Sequence, residues 1–171
     1  LSVTGLENFC ECPWKYFFVN LISIPATRNK YQLFGTAIHS SLESLIKKRK
    51  IEKNPKDFLI KSLQWNLLQQ GLSRKDFKEY LEKGTKALSG FYENIFINFP
   101  DNIQSELNIG GIKISENLTL NGRIDMLEES QKGEFIVHDF KTGKAKSRKD
   151  IDGAKPESKN NYFRQLTFYK I

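Results

Sequence analysis

Cysteine is scarce in this sequence, with two in 171 residues, at positions 10 and 12. One intervening residue disfavours a structural disulfide between them, and two cysteines alone supply too few ligands for zinc. A reducing, cytoplasmic setting is expected. Long apolar runs are missing too. None approaches the ~18 residues of a membrane span, and no signal peptide is visible, so no membrane partner is expected. Internal repeats and low-complexity segments are absent. The stretch TGKAKS carries no phosphate-binding loop, because that pattern needs glycine where His138 stands and serine or threonine where Ala145 stands. No Ser-His-Asp nucleophile arrangement can be read from the chain.

What is present fits a globular protein with a real core. Hydrophobic residues make up 39% and charged residues 27% of the chain. The formal net charge of +7 points to a polyanionic partner. The length suits one domain over 1–171, with 1–100 mainly helical and 101–171 holding a sheet, a basic loop and a final helix. The first residue is Leu1, and the chain is expected to be a piece of something longer.

Thr4 and Glu7 have the spacing of a capping box, and the helix they open should stop near Cys12, ahead of Pro13. Pro13 suits the first turn of a second helix, PWKYFFVNL, and residues 23–32 read as a loop. Phe34, Ile38, Leu42 and Leu45 recur at helical spacing, which predicts a helix over 33–50 closed by a basic run. Two more helices are predicted over 55–70 and 74–97, with Gly71 between them and Pro100 as a stop. The period then shortens. Residues 105–141 read as three or four meandering strands, 144–159 as a long mobile loop and the last eleven residues as a helix. The fold class expected is α+β or α/β with a central sheet.

Charged groups end two of the apolar runs. Asp125 closes GRID, and Asp139 and Lys141 close the next run as Asp-Phe-Lys. Residues two apart on a strand share a face, so Asp139 and Lys141 should point one way and Phe140 the other. A hairpin between 125 and 139 would bring the two carboxylates together. Two close carboxylates repel unless compensated, and a hard divalent cation such as Mg²⁺ or Mn²⁺ does this well. His39 could complete such a site, since Gly35, one turn before it, leaves room for another element to pass. Gln165 and Tyr169 share a helix face and can both hydrogen bond. The plainer reading is a solvated strand end, a packed histidine and a core tyrosine.

Taken together, SVTGLENFCECPWKYFF, FGTAIHSSLE, GRID, DFKTGK and QLTFY resemble, in order, the motifs of the PD-(D/E)xK nuclease superfamily, in particular the RecB-like nuclease domains at the C-terminus of helicase–nuclease proteins. The resemblance implies a restriction-endonuclease-like core, a central mixed sheet flanked by helices, with an N-terminal helical block. It implies a Mg²⁺- or Mn²⁺-dependent deoxyribonuclease, exo- or endonucleolytic, serving DNA repair or recombination beside a helicase in the bacterial nucleoid. By resemblance, His39, Asp125, Asp139 and the backbone carbonyl of Phe140 bind the metal, and Asp125, Asp139 and Lys141 are catalytic. Gln165 and Tyr169 contact DNA or brace the site, and Glu106 matches an acidic residue on a preceding strand. Lys144, Lys146 and Arg148, with the helix end at 47–50, would track phosphates. Some relatives hold an iron–sulfur cluster through a cysteine placed like Cys12 and three later ones; those later partners are missing before Ile171, so no cluster is expected within this chain. Competing readings are a catalytically inactive DNA-binding or interaction module of the same fold and a nuclease directed at RNA.

Overall fold

The structure is a computed structural model that describes residues 1–130, 133–152 and 161–169. Helix α1 (Val3–Glu11) is capped by Ser2, whose hydroxyl accepts from the Gly5 amide at 3.1 Å. The expected cap at Thr4 is thus two residues too late, because Ser2 already holds the extended cap backbone and takes the third helical amide. Cys12 is extended, as a residue before proline should be, and Pro13 opens α2 (Pro13–Tyr16). The chain then widens into a π-helical turn over Phe17–Leu21.

Helix α3 (Lys30–Lys48) starts three residues ahead of expectation, because Asn29 and Gln32 form a capping box. Helices α4 (Pro55–Leu68) and α5 (Arg74–Asn94) follow, separated by Gly71 at φ 64° and capped at Ser73. Leu59, Leu63 and Leu67 lie at i, i+4 and i+8 on α4 and are fully buried against the apolar stripe of α3 and Tyr80 and Leu88 of α5. Tyr80 stacks on Phe34 with ring centroids 4.7 Å apart.

Strands β1 (Ile103–Ser115), β2 (Leu118–Glu129) and β3 (Phe135–His138) make a three-stranded sheet in the order β1-β2-β3. A two-residue turn links β1 to β2, and β2 pairs antiparallel with β3 in the register Met126↔His138 to Glu129↔Phe135. Among the described residues the sheet is therefore the expected meander, with no parallel pair. β3 stops at His138, so Asp139 and Lys141 follow the strand rather than lie on it. Inside the stretch read as a loop, Ser147 caps a short helix, α6 (Arg148–Ile151); residues 153–159 of that stretch lie outside the described residues. Helix α7 (Asn161–Phe168) falls where the final helix was expected.

The chain gathers into two compact units interleaved in sequence. One comprises Leu1–Thr27, Asn108–Arg123 and Gly143–Ile171, the other Arg28–Leu107 and Ile124–Thr142. Among the described residues no helix is long and apolar enough to cross a membrane.

Candidate metal centre

The second unit holds six of the candidate site residues, on four stretches of chain. His39 comes from α3. On β2, Ile124 and Met126 are buried on one face, which sends Asp125 between them to the other. The register next to Met126↔His138 sets Asp125 beside the position of Asp139. Phe140 turns away into the aromatic core, edge-on to Phe91 at 5.6 Å, and so fixes the direction of its two neighbours. The chain after Lys141 passes over Gly35, where a Cβ would lie 3.4 Å from Thr142 Oγ1. A side chain longer than a methyl one turn before His39 would meet that segment.

Glu106 has a different origin. Its neighbours two residues away on β1, Gln104 and Asn108, are exposed, yet Glu106 is half-buried. Its φ of 54° explains the exception, since a left-handed residue inside a strand re-aims its side chain. His39, Glu106 and Asp125 each offer a ligand atom, and the three atoms lie within 4.8 Å of one another. Asp139 stands outside that trio and pairs with Lys141 Nζ at 2.6 Å. The expected set of His39, Asp125 and Asp139 is therefore arranged as a trio with Glu106, flanked by the Asp139–Lys141 pair.

Hydrogen bonds join His39, Asp125 and the Phe140 amide, and the charge of Glu106 acts on His39. His39 Nδ1 and Asp125 Oδ1 are 3.2 Å apart, and the Phe140 amide donates to Asp125 Oδ2 at 2.7 Å. The Phe140 amide thus acts on Asp125, a role separate from the metal contact that the resemblance implies for its carbonyl. The hydrogen bond to Asp125 raises the His39 pKa against the opposing effect of burial, helped by the charges of Asp125 and Glu106. Burial alone would push the Asp125 carboxyl up; bonds from His39 and the Phe140 amide, with the nearby charges of His39 and Lys141, outweigh it and leave the pKa lowered. The two carboxylates favour positive charge at this place, whether on the His39 ring or as a divalent cation. Two carboxylates and one imidazole are hard or borderline donors, a set that fits Mg²⁺ or Mn²⁺.

The remaining candidates belong to the first unit. Tyr169, just past α7, donates its hydroxyl to the Arg123 carbonyl at 2.9 Å, and a Cβ on Gly122 would sit 3.5 Å from its ring. Arg148 pairs with Asp152 at 2.8 Å, while Lys144 and Lys146 are exposed. The sequence shows the acidity of Glu106 but not its left-handed backbone, which has no signal in a residue that is neither glycine nor asparagine.

A family model described as the PD-(D/E)XK nuclease superfamily matches residues 1–171. No curated protein matches the chain, and no solved structure does.

Proposed function

This chain belongs to the PD-(D/E)XK nuclease superfamily, and on that premise we propose that it is a Mg²⁺- or Mn²⁺-dependent deoxyribonuclease of the RecB-like kind, cutting phosphodiester bonds in DNA. The observation that carries the reading is the convergence of His39, Glu106 and Asp125 within 4.8 Å, with the Asp139–Lys141 pair at 2.6 Å beside them. Work beside a helicase in repair or recombination is the context the motif order suggests.

His39, Glu106 and Asp125 would hold the ion, with Asp139 as a further carboxylate beside them. When bound, such an ion neutralises charge on a phosphate and makes hydroxide available near neutral pH. The chain's own residues do the rest. The Phe140 amide keeps Asp125 oriented. Lys141 is a half-exposed cation of the site, its side chain 44% exposed and paired with Asp139. It can hydrogen bond the attacking water and stabilise the charge that builds as oxygen bonds to phosphorus and the bond to the leaving oxygen breaks.

Two measurements test this. DNA incubated with the protein should be cut with Mg²⁺ or Mn²⁺ and spared in EDTA; equal cleavage in EDTA removes the metal from the reading. Lys141→Met keeps most of the stem and loses the charge, so Mn²⁺ binding should persist while single-turnover cleavage drops by about 10²–10⁴-fold. A variant that cuts at the parent's rate would mean Lys141 has no part in the chemistry. A parent that binds DNA and Mn²⁺ but never cuts would favour the inactive module.

A further inference from the structure

We propose that the second unit carries a phosphate-binding subsite beyond the metal centre, a basic cleft between the end of α3 and the start of β1. The proposal rests on the nuclease reading and specifies where the DNA strand runs once it leaves the reacting phosphate. The cleft encloses about 290 Å³ and is lined by Lys47, Arg49, Lys50, Asp101, Gln104 and Ser105 among others. Its placement is fixed by elements that also carry the metal trio. Ser105 precedes Glu106 on β1. On α3, the cleft residue Ile46 lies seven positions after His39, about 10 Å at 1.5 Å per residue and on the same helix face. That span corresponds to about three nucleotides or fewer along one strand.

The charges divide into a scaffold and a working pair. Arg49 is committed to the wall: its guanidinium donates to the Pro100 carbonyl at 2.7 Å and the Phe99 carbonyl at 3.1 Å, pairs with Asp101 at 3.1 Å and lies over the Phe96 ring. That pairing offsets the one acid lining the cleft. Lys47 is 62% exposed and meets Glu43 at 2.5 Å in a surface i,i+4 pair, an interaction that water screens and a phosphate can displace. Lys50 is exposed. Both lysines follow the last buried turn of α3, whose carbonyl end is itself unfavourable to an anion, so the attraction rests on their charge. The wall also holds Ser105, whose buried hydroxyl has no hydrogen-bond partner among the described residues.

The test is Lys47→Gln with Lys50→Gln in the full chain, beside Lys75→Gln with Lys78→Gln on α5 as a charge-matched control. Binding of a single-stranded oligodeoxynucleotide in EDTA is followed against salt, and Mg²⁺-dependent cleavage is followed against substrate concentration. The cleft variant should lose about 0.7 from the log–log salt slope for each phosphate contact removed. Its KM should rise several-fold at unchanged kcat, the signature of binding shared by ground and transition states. The control should match the parent, and Lys47→Arg with Lys50→Arg should restore it. A cleft variant with the parent's slope and KM, in a parent that cuts, overturns the subsite and leaves the nuclease reading standing. A parent that neither binds nor cuts with any metal overturns both.

Discussion

Glu106 carries a cost that its neighbours do not. A non-glycine residue at positive φ is held there only by its surroundings, at about 1–3 kcal/mol. Within β1 the gain from that strain is a carboxylate turned to His39 and Asp125. Glu106→Gly should therefore raise the stability of the metal-free protein, since glycine adopts this backbone freely, by about 1 kcal/mol after its own entropy cost is counted. The same change should weaken Mn²⁺ binding. Thermal melts in EDTA and calorimetric Mn²⁺ titration read the two effects separately. A variant that is both less stable and unchanged in metal affinity would show that neither the strain nor the ligand role is real. Most of the site was legible at this scale: His39, Asp125, Asp139 and Lys141 stood out as charged or titratable groups at the ends of apolar runs or on an apolar helix. What stayed hidden was how they divide, because a trio and a pair differ by side-chain directions that only the folded backbone sets.

Helix α5 meets α4 across a glycine. A methyl at Gly84 would lie 2.7 Å from Leu63 Cδ2, and Leu63 is fully buried. Gly84→Ala gains about 1 kcal/mol of helix propensity and loses about 1–3 kcal/mol to overpacking. The net expectation is a destabilisation of up to about 2 kcal/mol, read by urea unfolding. Paired with Leu63→Ala, which opens the space, the second substitution should cost less than it does alone; strict additivity would show that the two residues do not collide. The helices themselves were readable because burial repeats at 3.6 residues in Leu59, Leu63 and Leu67. Their starts were less so. Ser2 and Asn29 win over later residues by hydrogen bonds to particular amides, and several polar residues near each start could have made such a bond. The early end of β3 is also opaque in sequence, since no glycine or proline marks it between Val137 and Phe140, which leaves the ladder to enter the core.

At the scale of the whole chain, the metal centre links folding to solution conditions. Without metal, the raised His39 pKa contributes stability below its unfolded value near 6.5, and that contribution is lost as pH rises through the folded value. The lowered Asp125 pKa acts in the opposite direction, its contribution present above the unfolded 3.8 and lost as pH falls through the folded value. Metal binding reverses the upper trend, because the ion competes with the proton on His39. Melts in EDTA should fall as pH rises above about 6.5, while the stabilisation by Mn²⁺ should grow, reaching about 2.7 kcal/mol at a hundredfold excess over Kd. His39→Ala should flatten both trends. A Mn²⁺ effect independent of pH would place the ion elsewhere.

The bond between His39 and Asp125 joins residues 86 positions apart. During synthesis at about 5–20 residues per second, His39 therefore emerges roughly 4–17 s before its partner exists. Met126, fully buried in the same core cluster as Phe34 and Leu63, arrives equally late. For that interval the nascent helices have part of their apolar face uncovered, the kind of transient exposure that promotes aggregation, and no ion site exists until Asp125 joins His39.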